Sequence, residues 1–432
     1  MHRSSLGVLV SILLAAGPAS LAQDLSPAEK KLAQTVEARL GEEMAALEKV
    51  VNIDSGTFNT EGVREVGRFF EKELQALGFA TRWIPMSEAM HRAGHLVAER
   101  VSPKLSGKRV LLIGHMDTVF EGQGHRFQKD GAVIRGAGVM DMKGGDVVIL
   151  FALKALDSAG MLKGATVRVF LTGDEEDPGL PTSESRRDLI AAARESDIAF
   201  SFEPALVGGT IVLGRRGLST WSLNVTGSQG HSAYVLRPRG GAGAIYEASR
   251  ILEGFRAAFS AGNVTVNPGL FLGGTDVTYD AVKSAGTSAG KFNVVSRSVT
   301  VKGDLRALDD VEREAAKTRM REIAGASLPK TSAKLEFEDV FPGWPTTDGN
   351  RSVLKIIEAA GHALGQPPLT EVDPVTRGAG DSNFVAFLSA ADGLGVKGEG
   401  FHAPDESVDP TSIGPATARA AVVIARLLHP TN

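Results

Sequence analysis

Residues 109–117 read Arg-Val-Leu-Leu-Ile-Gly-His-Met-Asp. A short apolar run that ends in glycine, histidine and an acid is typical of a strand that is buried on both faces of a mostly parallel sheet. In open α/β sheets, ligands bind beyond the carboxyl ends of such strands. His115 and Asp117 are therefore candidate functional residues at the edge of a sheet.

Two further apolar runs, Thr166 to Leu171 and Ile198 to Phe202, predict two more strands of this sheet. Apolar residues recur every three to four positions along Ser26–Val51, Glu61–Leu77 and about Lys143–Ser158, which predicts helices. Together these patterns predict an α/β fold in which a mostly parallel sheet carries helices on both faces.

The alternation of helix and strand changes at Gly214. From there the pattern predicts, in order, a strand, a helix, two strands, a helix and a strand at Leu218–Thr226, Gly241–Phe259, Val264–Leu272, Phe292–Leu305, Asp309–Ile323 and Lys334–Val340. This β-α-β-β-α-β order describes a small two-layer domain. We therefore expect a main domain formed by residues 23–213 and 342–432, with a second domain inserted at 214–341.

The composition excludes several classes of protein. A chain of 432 residues with 43% apolar residues is long enough for two domains with real cores. The net charge of −4 provides no broad basic surface for nucleic acid or for an anionic membrane, so we expect a small-molecule partner. Because cysteine is absent, disulfides are excluded and any metal site must use nitrogen and oxygen ligands.

The amino terminus predicts a secretory signal peptide at residues 1–22. His2 and Arg3 precede an apolar run from Leu6 to Ala16, and Ser20-Leu21-Ala22 places small residues at the −3 and −1 positions of a cleavage site. The run is too short to span a bilayer. We therefore expect a secreted or periplasmic protein after cleavage near Ala22.

Four further segments place an acid or a histidine where a strand ends or a loop begins: Met140-Asp141-Met142, Gly173-Asp174-Glu175-Glu176, Phe202-Glu203-Pro204 and Phe401-His402-Ala403. Each segment alone is also typical of a solvated turn. Imidazoles and carboxylates that cluster at a sheet edge are costly to desolvate unless a multivalent cation compensates them. Together with His115, these segments predict the ligand set of a two-zinc hydrolase.

The order and local sequence of these motifs resemble the zinc-dependent aminoacylase and carboxypeptidase family, which includes glutamate carboxypeptidases, dipeptidases and succinyl-diaminopimelate desuccinylases. The motifs are His115 to Val119, Gly138 to Gly145, Asp174-Glu175-Glu176, and His402 followed by Asp405-Glu406. The resemblance extends from about residue 30 to the C-terminus and is strongest to the glutamate carboxypeptidases.

The resemblance implies two zinc ions per subunit, with cobalt or manganese as substitutes. The implied ligands are His115, Asp141, Glu176, Glu203 and His402, with Asp141 bridging the two ions. Asp117 would orient His115, and Glu175 would be the general base that activates a zinc-bound hydroxide. Glu203 departs from the aspartate found in many relatives, and this leaves the preferred metal open.

The resemblance also assigns residues of the inserted domain, which would act as a lid and a dimerisation domain. His231 would reach into a neighbouring subunit and stabilise the oxyanion, which implies a homodimer. Asn293 would bind the reacting carbonyl, and Arg306 the free carboxylate of the substrate. In the main domain, Gly378 would belong to a glycine loop whose amides approach that carboxylate.

These features predict an exported metallopeptidase of the carboxypeptidase type, which hydrolyses small dipeptides or N-acyl amino acids with a free C-terminal carboxylate. Glutamate is one candidate for the released residue. Two alternatives are a nonpeptidic amidohydrolase or deacylase on the same scaffold and a non-catalytic periplasmic binding protein. A binding protein would have no need of Glu175, which is not a metal ligand in this scheme.

Overall fold

The structure is a computed structural model that describes residues 24–122, 124–205, 208–281 and 283–430. The predicted signal peptide at residues 1–22 lies outside the described residues. No helix in the described part of the chain is both long enough and apolar enough to cross a bilayer.

The helices of the described residues are α1 (Pro27–Ala38), α2 (Leu40–Val51), α3 (Thr60–Ala76), α4 (Lys143–Ser158), α5 (Thr182–Ser185), α6 (Arg187–Arg194), α7 (Ala244–Ala258), α8 (Asp310–Gly325), α9 (Asp348–Ala363) and α10 (Ile413–Leu428). The strands are β1 (Ala80–Ile84), β2 (His95–Arg100), β3 (Arg109–His115), β4 (Gln128–Asp130), β5 (Val133–Arg135), β6 (Thr166–Thr172), β7 (Ile198–Ser201), β8 (Thr210–Ile211), β9 (Gly217–Gly227), β10 (Thr265–Gly274), β11 (Asp276–Asp280), β12 (Ala285–Ala289), β13 (Ser298–Ala307), β14 (Thr331–Phe341), β15 (Thr370–Glu371), β16 (Ser389–Ala391), β17 (Gly398–Glu399) and β18 (Ser407–Val408).

The central sheet has six strands in the order β1-β2-β6-β3-β7-β16. The four strands from β6 to β16 are parallel, and β1 and β2 are antiparallel to their neighbours. Strand β3 could be predicted from a short apolar run because both of its faces are buried. Val110 and Leu112 enter the core cluster that includes α4 and α10, whereas Leu111 and Ile113 enter the cluster that includes α6. The predicted α/β class, with helices on both faces, is confirmed.

A second sheet of four antiparallel strands, in the order β10-β13-β9-β14, forms between Gly217 and Phe341. Helices α7 and α8 pack against it and share a separate apolar core with its strands. The chain order of these elements is the predicted β-α-β-β-α-β, and they fall within residues 214–341. The role of this second module as a lid and dimerisation domain stays a prediction.

Two local predictions were wrong, and one element was not predicted. The predicted helix Ser26–Val51 is interrupted at Arg39, where the amide donates to the carbonyl of Val36 in a tightened last turn. Strand β13 begins at Ser298, because Phe292 and Asn293 lie in a turn. The hairpin of β11 and β12 was not predicted, since its residues are small, polar and mostly exposed.

Candidate metal centre

The strand order brings three of the predicted site segments to the same edge of the sheet. Strands β6, β3 and β7 are adjacent and parallel, so their carboxyl ends meet. His115 is the last residue of β3, Glu175 and Glu176 follow β6, and Glu203 follows β7. Neighbouring strands therefore supply an imidazole and three carboxylates to one small region.

Two more candidate ligands reach this region from loops. Asp141 lies just before α4, and His402 lies in the turn between β17 and β18. The φ angle of His402 is +62°, in the left-handed region that residues other than glycine seldom adopt. Such a conformation persists where the surrounding structure determines it, and it is frequent at functional sites.

The two carboxylate oxygens of Asp141 face two different imidazoles. Its Oδ1 lies 3.2 Å from Nε2 of His115, and its Oδ2 lies 3.2 Å from Nε2 of His402. Around the first pair, Oε1 of Glu203 is 3.6 Å from Nε2 of His115. Around the second pair, Oε2 of Glu176 is 3.1 Å from Nε2 of His402. The five side chains thus form two groups that share Asp141.

These separations fit the chemistry of two bound cations. Ligand atoms about 2.1 Å from one tetrahedral ion lie roughly 3.4 Å from each other, and the observed separations are 3.1–3.6 Å. Oε1 of Glu176 is buried without a hydrogen-bond partner, and such an orphaned oxygen calls for a ligand. The nitrogen and oxygen donors suit zinc, and also manganese or cobalt.

Glu175 is also close to this cluster but is placed differently. Its nearest carboxylate oxygen lies 4.0 Å from Nε2 of His115, farther than the oxygens of Asp141 and Glu203. Ligand atoms of His115, Glu175 and Glu203 still fall within 4.8 Å of one another. We assign Glu203 rather than Glu175 to the ligand set because its contact with the imidazole is shorter, which leaves Glu175 free to exchange a proton.

Crowding of buried carboxylates dominates the electrostatics. Burial raises the pKa of Glu203 to about 8, and the charge of Asp141 adds to this effect. Burial raises the pKa of Glu175 well above its ordinary value, and the charge of Glu203 raises it further. Hydrogen bonds to Asp141 and Glu176 raise the pKa of His402 to about 11. A multivalent cation would favour the ionised carboxylates and the neutral imidazole instead.

Asp117 does more than the sequence predicted. Its Oδ1 lies 3.4 Å from Nδ1 of His115, which is compatible with the predicted orienting role, although its own backbone carbonyl is nearer to that nitrogen, at 3.1 Å. The carboxylate also accepts hydrogen bonds from the backbone amides of Glu175 and Glu176 and from the hydroxyl of Thr57. One buried acid therefore holds the turn that carries both glutamates.

Two buried side chains to which the sequence analysis assigned no role, Glu406 and Arg186, fix the backbone around the centre. Oε1 of Glu406 accepts hydrogen bonds from the amides of Met140, at 2.8 Å, and Asp141, at 3.1 Å. Arg186 is fully buried and donates to Asp174 at 2.7 Å and to Asp381 at 2.6 Å. The arginine thereby ties the turn before Glu175 to the loop that contains Gly378 and Asp381.

A cavity of about 280 Å³ opens onto the centre. It is lined by Asp141, Glu175, Glu176, Glu203, Arg215, Arg306, Arg377, Gly378, Phe401 and His402, among others. Larger cavities of about 570 and 610 Å³ lie beside α1 and α10, so size alone does not select this site. The convergence of the candidate ligands selects it.

The predicted residues of the lid fall into two groups. Arg306 lines the cavity from β13. His231 and Asn293 are exposed neighbours on the second module, where the amide of Ser232 donates to the carbonyl of Asn293. Neither is among the described residues that line the cavity of this protomer. Their predicted roles would require a second subunit.

The predicted glycine loop also lines the cavity, but the close approach is not at Gly378. A methyl group added at Gly378 would meet no atom within 4 Å, whereas one at Gly380 would lie 3.2 Å from Oε1 of Glu175. The carbonyl of Gly378 accepts a hydrogen bond from Arg215. Gly380 is therefore the position where the absence of a side chain leaves room for the candidate base.

Two arginines of this cavity, Arg215 and Arg377, were not predicted from the sequence. Each lies in a loop next to a glycine or a second arginine, without helical or strand periodicity. Both are buried, with 3% and 8% exposure. Buried arginines are unusual unless they are paired, but burial is not visible in a loop sequence.

Comparison with known proteins gives a consistent result. The family model described as "Peptidase family M20/M25/M40" matches residues 111–426. The chain is 30% identical to carboxypeptidase G2 of Pseudomonas sp. (strain RS-16), over 96% of this chain and 95% of that protein. It is 27% identical to a succinyl-diaminopimelate desuccinylase of Methylocella silvestris, over 78% of this chain and 86% of that protein.

Solved structures share the fold. The aminopeptidase PepT of Bacillus cereus ATCC 10987 superposes with a TM-score of 0.69 at 20% identity, covering 90% of this chain and 98% of that one. The YXEP protein of Bacillus subtilis, described as a dinuclear metal-binding peptidase of the M20 family, gives a TM-score of 0.61 at 16% identity, covering 90% and 99%.

Proposed function

Because the chain belongs to peptidase family M20/M25/M40, we propose that it is a zinc-dependent exopeptidase of the carboxypeptidase type, acting on small peptides or N-acyl amino acids with a free C-terminal carboxylate. Membership confirms the predicted family resemblance and the prediction of an enzyme, a hydrolase of the metallopeptidase type. It also removes the alternative of a non-catalytic binding protein. The carboxypeptidase specificity, the identity of the metal and the substrate are our proposal.

The observation that carries the proposal is the division of Asp141 between two ligand groups. One group is His115 with Glu203, and the other is His402 with Glu176. Two divalent ions held there would supply Lewis acidity, which acidifies a water molecule and polarises an amide carbonyl. The remaining steps depend on side chains of the protein.

Glu175 is the group that moves the proton. It lines the cavity beside the ligands, and its raised pKa results from burial and from the charge of Glu203. A carboxylate in this position accepts a proton as water attacks the carbonyl, and it then donates that proton to the leaving amine nitrogen. The products are an acid and an amine, with no covalent bond to the enzyme. The carboxylate of Asp117 keeps Glu175 in place by accepting a hydrogen bond from the backbone amide of Glu175.

Arg306 is the proposed anchor for the C-terminal carboxylate of the substrate. Its Nε donates to Asp304 at 2.9 Å, which fixes the guanidinium and leaves its other N–H groups for a ligand. The guanidinium lines the cavity together with Glu175. Charge-assisted hydrogen bonds between a guanidinium and a carboxylate are strong and directional, so a free carboxylate would place the adjacent amide bond at the metal ligands.

A deacylase that cleaves a nonpeptidic acyl-amide bond is the second candidate. The similarity to a succinyl-diaminopimelate desuccinylase favours it. Both reactions use the same base and ligands, and they differ in the acyl group that the cavity accepts. A parallel assay of dipeptides and N-acyl amino acids that share one leaving residue separates them: a deacylase hydrolyses the N-acyl compounds faster.

The decisive experiment combines elemental analysis with a substrate panel. The purified protein should contain two zinc ions per chain, and it should hydrolyse dipeptides with a free C-terminus but not the same dipeptides as C-terminal amides. Glu175→Gln should keep the metal and lose about a hundredfold or more in turnover, as removal of a general base typically does. Equal hydrolysis of acids and amides, or activity in a demonstrably zinc-free sample, would contradict the proposal.

We also propose a homodimer that forms through the second module. His231 and Asn293 are exposed there and are not among the described residues that line the cavity of their own subunit. Apolar surface is exposed on α7 by Ile245 and Tyr246 and on the edge strand β10 by Phe271. Light scattering tests the mass. Arg306→Ala and His231→Ala should each be inactive alone and regain activity when mixed, because a hybrid dimer contains one intact site. A monomeric active enzyme would refute the dimer.

Export is proposed from the N-terminal pattern alone. Expression of the full chain in a bacterial host should yield a periplasmic protein whose N-terminal sequence starts near Gln23. A cytoplasmic product that retains residues 1–22 would contradict it.

A further inference from the structure

Arg377 is a buried cation without an evident partner. Its side chain is 8% exposed and lines the cavity beside the metal ligands. Its Nε is buried without a hydrogen-bond acceptor, and the described residues provide no ion pair to its guanidinium. The guanidinium carbon lies 5.9 Å from the centroid of Phe401, the residue before His402. The cation is therefore held at the cavity wall by packing and not by a carboxylate.

The other arginines of the cavity are paired. Nε of Arg215 lies 2.7 Å from Oδ2 of Asp392. Nε of Arg306 lies 2.9 Å from Oδ2 of Asp304. Buried charges are usually paired, because desolvation of an isolated ion is costly. Among the described cations of this cavity, Arg377 is the exception, and a ligand is the missing partner.

The nearby acids are not available as ion-pair partners for Arg377 once metal ions are bound at the centre. Asp392, Glu203 and Asp141 are close enough to influence the guanidinium. Asp392 is already paired with Arg215, and Glu203 and Asp141 belong to the proposed ligand set, where cations would compensate them. Burial lowers the pKa of Arg377, and the neighbouring charge of Arg215 lowers it further. The surroundings therefore disfavour the isolated cation and would favour it again when an anion binds.

We propose that Arg377, with Phe401 beside it, is a subsite for a second carboxylate of the substrate, so that the enzyme prefers substrates with an acidic group in addition to the terminal carboxylate. The assignment of this group to a substrate rests on the proposed function. Arg377 would determine specificity from the main domain, whereas Arg306, on β13 of the second module, would hold the terminal carboxylate.

A binding measurement tests the subsite without turnover. Glutarate and glutaramate share one carboxylate and differ only in whether the second end is an acid or an amide. The metal-loaded protein should bind glutarate about 10- to 100-fold more tightly, which is the range for one charge-assisted hydrogen bond. In Arg377→Met this ratio should fall to about one. The matched control Arg351→Met removes an arginine with 53% side-chain exposure, paired with Glu371, and should keep the wild-type ratio.

Two results would overturn the subsite. Wild-type affinities for both ligands in Arg377→Met, and so an unchanged ratio, would show that the second carboxylate binds elsewhere. An equal loss of affinity for both ligands would assign Arg377 to the terminal carboxylate or to the metal ligands, and metal analysis of the variant distinguishes these causes. Arg377→Lys should keep part of the ratio, because the ammonium retains the charge but not the planar fork.

Turnover of matched pairs then identifies the side of the substrate that is recognised. N-acetylglutamate with N-acetylglutamine places the acid on the leaving residue, and N-succinylalanine with N-butanoylalanine places it on the acyl group. Preference for the acid in one pair, lost in Arg377→Met, supports the proposal. Hydrolysis without any such preference overturns the substrate class and leaves the proposed function intact. No hydrolysis at all, with the glutarate ratio still dependent on Arg377, would instead contradict the proposed function.

Discussion

Replacement of Asp117 by asparagine tests how the centre is built. The carboxylate is fully buried and accepts three hydrogen bonds: from the amide of Glu175 at 3.0 Å, the amide of Glu176 at 3.2 Å and the hydroxyl of Thr57 at 2.7 Å. The first reaches Oδ1, and the other two reach Oδ2. The same Oδ1 lies 3.4 Å from Nδ1 of His115.

The magnitude follows from which bonds an amide can keep. Asparagine has one carbonyl oxygen, and in the Oδ2 position it retains two bonds, now to a neutral acceptor. Its NH₂ group then faces the amide of Glu175, so one charge-assisted bond of about 1.5–3 kcal/mol is lost and a buried donor is left unsatisfied. We expect the free energy of unfolding to fall by about 3 kcal/mol. Metal affinity should fall about 10- to 100-fold, as for other residues that orient a metal ligand.

The assay compares Asp117→Asn with Thr57→Val. The second variant deletes only the hydroxyl bond to Oδ2 and keeps the charge, so it should cost about 1 kcal/mol in stability and change metal affinity little. Urea unfolding gives the stability of each protein, and competition with a chelator of known affinity gives the metal dissociation constant. If Asp117→Asn matched the wild type in both measurements, the turn of Glu175 and Glu176 would not depend on this acid, and the account of the centre would be wrong.

Three further perturbations have defined outcomes. Burial raises the pKa of Glu43 to about 7 from an ordinary 4.5. Between these two pH values the folded state therefore keeps a proton that the unfolded chain has lost. The free energy of unfolding should fall as the pH rises from 4.5 to 7 and stay low above pH 7. Glu43→Gln should abolish that fall and raise stability at pH 8 by up to about 3 kcal/mol in urea unfolding, whereas exposed Glu42→Gln should not. Arg186→Lys keeps the charge but cannot reach both Asp174 and Asp381, so kcat should fall about tenfold with little change in KM in steady-state kinetics; a wild-type kcat would exclude a positioning role. Removal of the metal by dialysis against a chelator should abolish activity and lower the melting temperature, both restored by added zinc; a chelator-treated sample with an unchanged melting temperature would argue against metal binding to the folded state.

The parts of the fold that the sequence predicted are those whose burial leaves a pattern. Strand β3 is buried on both faces and reads as a continuous apolar run, and α4 begins and ends within one residue of its predicted bounds. The strand ends then place the ligands, because residues that follow adjacent parallel strands meet at one edge. The positions of His115 and Glu203 at the ends of two such strands therefore predict, from the sequence alone, that they belong to one site.

Elements without such a pattern were missed. The hairpin of β11 and β12 has mostly exposed residues, so no apolar alternation marks it. Phe292 is apolar and next to polar Asn293, which resembles the start of a strand, yet its side chain is fully exposed in a turn. An exposed aromatic residue breaks the rule on which the prediction rested, and an interface with another subunit is one setting in which that exposure would end.

The ion pairs of the site could not be predicted from sequence patterns either. Periodicity predicts where acids reach the sheet edge, but not which cations compensate them, since those pairs join loops that are distant in sequence. Arg186 bridges Asp174 to Asp381 across about two hundred residues, and Arg215 pairs with Asp392 in a similar way. Each pair is fully buried, and loss of one partner would leave an uncompensated charge at a cost of about 3–5 kcal/mol. Residues that never contact a substrate thus constrain the loops that do. This also explains the importance of Arg377. The other two arginines that line the described cavity are paired with acids of the protein, so the arginine without such a partner indicates the charge that a ligand must carry.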